Sequence, residues 1–150
     1  MRQLPIQCGP VQLAELAAVT ALELSAFAPP VYPNFFFRQA FDLWPNLFWV
    51  ARAEQGVLAY LIAAPAAATS QELSLLSLAV SPVAQGQGVG KTLLQQFLCS
   101  LVAGQQIWLT VDPANKAALR LYQQFDFHVV RQEQAYYGEG YHRLVLLKQC

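Results

Sequence analysis

Charge is what this sequence has least of. Of its 150 residues only 12% are charged, against 55% hydrophobic, and nine basic side chains balance nine acidic ones. That is roughly half the charge of an ordinary soluble domain. With no net charge there is no basic excess to meet a polyanion, so a nucleic-acid partner is not expected, nor is an anionic membrane surface. Long hydrophobic runs are missing as well. The longest, residues 56–68, is interrupted by Pro65 and falls short of the roughly 18–20 residues of a spanning helix. The first ten residues hold no continuous apolar stretch of the signal-peptide kind. Cysteine is scarce: Cys8, Cys99 and Cys150 are odd in number and far apart, with neither C-x-x-C nor zinc spacing. Reduced thiols and no metal are expected. His128 and His142 lie in strand patterns without a paired acid, which reads as structural. The expectation is a soluble, cytoplasmic protein with no membrane partner, and a homodimer is the assembly allowed for. A chain of this length builds one substantial core, so residues 1–150 read as a single domain.

What is present is a regular alternation of patterns. A short strand is expected over 4–7. Over 11–27, Leu13, Leu16, Ala17 and Leu24 fall near one face of a helix, which Pro29, Pro30 and Pro33 stop. An aromatic helix follows over 34–44. Residues 47–53 and 57–63 read as two strands joined at Glu54-Gln55-Gly56, where glycine can take positive φ. A third strand covers 72–80. The apolar spacing of Leu93, Leu94, Phe97, Leu98, Leu101 and Val102 predicts a helix over 89–103, with Gly104 as its C′ residue. Residues 107–111 read as a buried strand and 115–125 as a helix capped by Asn115. Two more strands, 127–132 and 142–147, close the chain around a Tyr-Tyr-Gly-Glu-Gly turn. The implied class is mixed α/β, with one central, partly antiparallel sheet and helices on both faces.

The informative stretch runs from Leu76 to Lys91, LSLAVSPVAQGQGVGK. A strand enters a loop with Gly86, Gly88 and Gly90, and the loop enters a helix directly. The first amides of a helix lack internal acceptors and sit at its positive end. Glycines let a diphosphate approach those amides, so the arrangement is an anion cradle suited to a pyrophosphate. A dinucleotide fingerprint needs G-x-G-x-x-G, whereas the spacing here is G-x-G-x-G. A Walker A loop fits Gly90-Lys91-Thr92 but has Gln85 in place of its first glycine. The pattern Q/R-x-x-G-x-G/A is met in full by Gln85, Gly88 and Gly90.

That last pattern resembles the acetyl-CoA loop of the GNAT acetyltransferases, and residues 73–91 resemble the strand, loop and helix that carry it. Asn115 through Tyr122 to Phe127 is similar to the family's second signature, N-x-x-A-x-x-x-Y…(G)F. The likeness is closest to the branch that acetylates protein N-termini, ribosomal proteins included. It extends over about residues 47–147. The resemblance implies a GNAT-like single domain with about six to seven strands and acetyl-CoA as co-substrate, without a metal. It implies direct transfer of the acetyl group to a primary amine, on a peptide N-terminus or a small molecule. Leu78, Ala79 and Val80 would offer main-chain groups to the pantetheine arm. Gln85, Gly86, Gln87, Gly88, Val89, Gly90 and Lys91 would form the pyrophosphate loop. Asn115 would contact the cofactor arm as well as cap its helix, and Tyr122 would protonate the departing thiolate. About two helical turns separate that pair, which places them on one face.

Two residues depart from the pattern. Similar N-terminal acetyltransferases carry a Glu base where this chain has Thr110, which leaves Glu72 as the acid with a family precedent, acting through water. The usual Gly before Phe127 is Asp126, so an aspartate is expected at positive φ. The segments that flank the acceptor in similar enzymes, 29–44 and 136–141, are aromatic and carry little charge, which suits an apolar or peptide-like amine. Two other readings stay open: an acyl-CoA-binding module that has lost catalysis, and a small P-loop nucleotide enzyme.

Overall fold

The computed structural model describes residues 5–66 and 71–150. Seven strands hydrogen-bond in the order β1-β2-β3-β4-β5-β7-β6. They are β1 (Gln7–Pro10), β2 (Phe48–Ala53), β3 (Gly56–Pro65), β4 (Glu72–Val80), β5 (Gln106–Val111), β6 (His128–Glu133) and β7 (Arg143–Gln149). Four α-helices accompany them: α1 (Leu16–Ala26), α2 (Asn34–Leu43), α3 (Val89–Cys99) and α4 (Lys116–Gln124). β4 and β5 are parallel, whereas β1–β2, β2–β3, β5–β7 and β6–β7 are antiparallel. This is the mixed sheet expected from the sequence.

The chain divides into two compact units, residues 1–63 with 76–100 and residues 64–75 with 101–150. In the first, β3 is buried at every residue from Leu58 to Ala63, as a strand covered on both faces must be. Alternate residues of β2 show what covers it. Phe48 and Val50 join a core with Val19 and Leu22 of α1 and Phe37 and Ala40 of α2. Trp49, pointing the other way, sets its ring edge-on to Phe97 of α3 at 5.6 Å. Helices therefore lie on both faces of this part of the sheet. In the second unit, β5 buries Ile107, Leu109 and Val111. β6 is the edge strand, exposed over its first five residues and interrupted by a bulge between Val129 and Arg131.

Several boundaries differ from the sequence reading. The first strand begins where it was expected to end, and Leu4 lies outside the described residues. The helix over 11–27 is split: Leu13–Glu15 is a 3₁₀ turn, and α1 starts at Leu16. Its expected face is also not the buried one, since Leu13 and Leu24 are exposed while Val19, Leu22 and Glu23 are buried. The tighter turn breaks the register between Leu13 and Leu16. The helix expected over 89–103 ends at Cys99. The Ser100 hydroxyl turns back onto the Phe97 carbonyl, and Val102 is exposed. Gly104 takes positive φ, as a C′ residue would, but in the following turn, where its amide donates to the Cys150 carbonyl. The hairpin glycine behaves as expected, with Gly56 at φ 117°.

Candidate active site

The strand β4 and the helix α3 hold the loop that the sequence singled out. Gly86 and Gly88 both have φ 78°, a left-handed conformation that glycine adopts without a Cβ clash. A Cβ at either position would meet nothing within 4 Å, so the space beside the loop is open. Gly90 differs: a Cβ there would lie 3.0 Å from Val80 Cγ2. That glycine permits close packing of α3 on β4, a role the sequence reading did not separate from the other two. Gln85 closes the loop, donating from Nε2 to the Val80 carbonyl at 3.2 Å.

The first helical hydrogen bond of α3 runs from the Thr92 N–H to the Gly88 carbonyl at 3.0 Å. No side chain caps this end, and no acidic residue stands in the first turn. The main-chain N–H groups of Gly86, Gln87, Gly88, Val89, Gly90 and Lys91 have no acceptor among the described residues. Six free donors, a positive helix end and the exposed Lys91 together fit a diphosphate. The register of β4 with β5 covers only Glu72, Ser74 and the residue between them. Residues 75–80 of β4, including Leu78, Ala79 and Val80, thus have no β5 partner among the described residues.

The second unit carries the other candidate residues. The turn from β5 into α4 is built by two polar side chains. Asp112 Oδ1 accepts from the Ala114 N–H at 2.9 Å, and Asn115 Oδ1 accepts from the Ala118 N–H at 3.1 Å. Asn115 is therefore the N-cap expected, with its amide group left exposed. Tyr122 is buried in α4, its ring edge-on to Phe127 at 5.5 Å. Among the described residues no side-chain oxygen is both sealed from solvent and unpaired. The Tyr122 hydroxyl has no partner there, so it reaches solvent. Burial pushes its pKa up to about 12, which keeps it protonated and able to donate at neutral pH. Asp126 closes α4 at φ 65°, as the missing glycine required.

The two departures are visible in place. Thr110 is half-buried on β5 opposite Val145, and a hydroxyl of its kind is no base at neutral pH. Glu72 opens β4 level with Gln106. It stands at the opposite end of that nine-residue strand from Val80. The thiols offer no alternative nucleophile: all three are free, and burial pushes Cys8 and Cys150 up rather than down. No cluster of metal-ligating side chains and no membrane-spanning helix occurs among the described residues. Sequence reasoning missed Glu23, which is buried among apolar groups. The signal was available: it is the one acid in the otherwise neutral stretch LAAVTALELSA of α1.

The Tyr136–Tyr141 segment is more polar in its surroundings than its own residues suggest. Tyr136, Tyr137 and Tyr141 are exposed. Arg143 lies over the Tyr137 ring at 5.1 Å and reaches Asp112 at 3.8 Å.

Comparison with known proteins places this geometry. The profile of the acetyltransferase (GNAT) family matches residues 16–127. An N-alpha-acetyltransferase of Sulfolobus acidocaldarius is 26% identical over 151 residues, covering 93% of this chain and 89% of its own. The fold matches Ard1 from Thermoplasma volcanium with a TM-score of 0.85 at 18% identity, over 96% of this chain and 97% of that one. It matches Arabidopsis thaliana Naa50, in complex with the bisubstrate analogue CoA-Ac-MVNAL, with a TM-score of 0.82 at 22% identity. That match covers 97% of this chain and 99% of the other.

Proposed function

The chain belongs to the acetyltransferase (GNAT) family, and from that premise we propose that it acetylates an amine with a single positive charge on an apolar or peptide-like body. It is an acetyl-CoA-dependent N-acetyltransferase of the GNAT kind. The nucleotide-enzyme reading is set aside: the family match spans the glycine loop, where Gln85 stands for the first Walker glycine. In our reading residues 1–150 work as one cytoplasmic acetyltransferase domain.

The observation that carries this reading is the row of unpaired amides from Gly86 to Lys91, which we assign to the pyrophosphate of acetyl-CoA. Leu78, Ala79 and Val80 offer main-chain groups to the pantetheine arm. Bound acetyl-CoA supplies an activated thioester. The acceptor nitrogen forms the new C–N bond as the C–S bond breaks, and the Tyr122 hydroxyl gives its proton to the leaving thiolate. Holding both reactants in line accounts for several kcal/mol, on the order of what oriented reactions gain. With Thr110 at the usual base position, the amine gives up its proton to water, with Glu72 at most assisting.

Support for the acceptor class comes from the exposed aromatics of the flanking segments and from a relative that is an N-alpha-acetyltransferase. A polyamine would need several converging carboxylates, and the nine acids are dispersed. The test is a thiol-release assay with a short peptide, an arylalkylamine and spermidine. A peptide or arylalkylamine should exceed spermidine at least tenfold in kcat/KM, about 1.4 kcal/mol. Preference for spermidine would overturn the acceptor assignment. Acetyl-CoA binding without turnover on any amine would favour a binding module, the reading that Thr110 supports.

A further inference from the structure

Glu23 is the one charged side chain buried among the described residues, at 3% exposure. A carboxylate in such surroundings is costly unless its oxygens are fully occupied. No Lys, Arg or His forms an ion pair with it among the described residues. Neutral donors hold it instead. Its Oε1 accepts from the Tyr60 hydroxyl of β3 at 2.5 Å, and its Oε2 accepts from the Tyr32 main-chain N–H at 2.9 Å. The Tyr60 oxygen lies 2.9 Å from Ser77 Oγ of β4. Because Tyr60 spends its one proton on Glu23, Ser77 is the donor there. Burial and the adjacent carboxylate push the Tyr60 hydroxyl far up, so it stays a donor.

The Tyr32 amide belongs to a segment that can do little for itself. Between α1 and α2 stand Pro29, Pro30 and Pro33, none of which has an N–H. The Tyr32 tether to Glu23 spans nine residues and closes the chain across Pro29 and Pro30. From it the Tyr32 ring stacks on Phe36 at 4.3 Å and meets Phe37 edge-on at 6.3 Å. Phe37 in turn meets Tyr60 edge-on at 5.4 Å. The carboxylate thus ties α1, β3, β4 and the proline segment to one point.

We infer that Glu23 is a positioning residue for the acceptor: its buried carboxylate fixes the proline segment and, through it, the Tyr32–Phe36 stack that the incoming amine's body packs against. This role rests on the acceptor class proposed above. A buried acid fits this task because it accepts from both directions and leaves no donor of its own unpaired. Glutamine of the same shape can still accept from the Tyr32 amide while donating to the Tyr60 oxygen, whose proton then turns to Ser77. Methionine can do neither.

The test compares KM for a peptide acceptor with KM for acetyl-CoA in Glu23→Met, Glu23→Gln and Tyr60→Phe. Glu23→Met is expected to raise the acceptor KM at least tenfold, with the acetyl-CoA KM within twofold of the unaltered protein. Glu23→Gln should return the acceptor KM to within threefold, and Tyr60→Phe should fall between. An unchanged acceptor KM in folded Glu23→Met, or equal rises in both constants, would overturn the assignment. If Glu23→Met does not fold, amide hydrogen exchange in the unaltered protein decides. The Tyr32 N–H should exchange at least a hundredfold slower than an open loop, and an unprotected rate would overturn the tether. Exchange also separates the tether from the acceptor class: a protected Tyr32 amide in a protein that acetylates no amine would bring down the acceptor reading and leave the tether standing.

Discussion

Two strand-to-helix turns in this protein solve the same problem in opposite ways. Each must deal with helical amides that have no internal acceptor. At the entry to α4 the chain spends two side chains on them: Asp112 takes the Ala114 amide and Asn115 takes the Ala118 amide. At the entry to α3 it spends none, and glycines at positive φ leave six consecutive amides open. A turn sealed by its own side chains has little left to offer an anion, and in the proposed reading its task is to aim the helix it starts, and with it Tyr122. In the proposed reading the open turn is the binding site, and the ligand supplies the missing acceptors. The difference lies in residue type alone, Asp and Asn against Gly, so single substitutions can move one turn toward the other.

The largest effect is expected at the residue the sealed turn aims. Tyr122→Phe keeps the ring packed on Phe127 and removes the proton donor. Turnover should fall on the order of a hundredfold, within the usual range for a lost general acid. The dissociation constant for acetyl-CoA should stay the same, and full activity of this variant would remove Tyr122 from the mechanism. Because burial raises its pKa to about 12 from the ordinary tyrosine value of 10.0, Tyr122 should not titrate in the pH–rate profile below about pH 10. The sign for stability follows from the same shift. The native state holds this proton more tightly, so the contribution is present below about pH 10 and is lost as pH rises toward about 12.

Next comes the open turn. Gly88→Val forces a β-branched residue into φ 78°, a strain of roughly 1–2 kcal/mol, and turns the amides off their common target. Acetyl-CoA affinity by titration calorimetry should fall at least tenfold, with the circular dichroism spectrum unchanged. Gly88→Asn sharpens the result, since asparagine tolerates this conformation and should lose far less. Equal losses in the two variants would mean that the side-chain volume, not the backbone, weakens binding. In the sealed turn, Asn115→Ala should cost about 1 kcal/mol as a lost N-cap, lowering Tm by roughly 2–4 °C. Asn115→Ser restores the cap but not the amide group. A raised acetyl-CoA KM in the Ser variant would reveal a cofactor contact that stability alone does not.

The same contrast explains how much of the molecule was legible in the sequence. Both turns were readable because their chemistry is local: Gly86 and Gly88 where φ must be positive, Asn115 three residues before the amide it caps. Asp126 was foreseen at positive φ for the same reason. The face of α1 was not legible. Its residues are apolar on nearly every side, so periodicity could not tell Val19 and Leu22 from Leu13 and Leu24. The end of α3 was overrun because Leu101 and Val102 continue the apolar spacing, while Ser100 ends the helix through one side-chain hydrogen bond. Glu23 was missed because its partners, Tyr32 and Tyr60, are nine and 37 residues away. Gly90 was found as part of the loop, yet its contact with Val80 comes from the packing of two elements.

The smallest effect is expected at Glu72, and its size bears on how the reaction works without an acid at Thr110. Glu72 is half-buried at the start of β4 and faces Gln106 across the parallel register. In the proposed mechanism water takes the amine's proton, and Glu72 at most assists that water. Glu72→Gln should therefore lower kcat/KM by less than threefold and leave Tyr122→Phe as damaging as it is alone. The double variant makes this quantitative: independent losses add in free energy, whereas an acid and a base sharing one proton path couple by about 0.5 kcal/mol or more. A loss beyond tenfold in Glu72→Gln, with strong coupling to Tyr122, would make Glu72 the base and show that the amine is deprotonated by the protein after all.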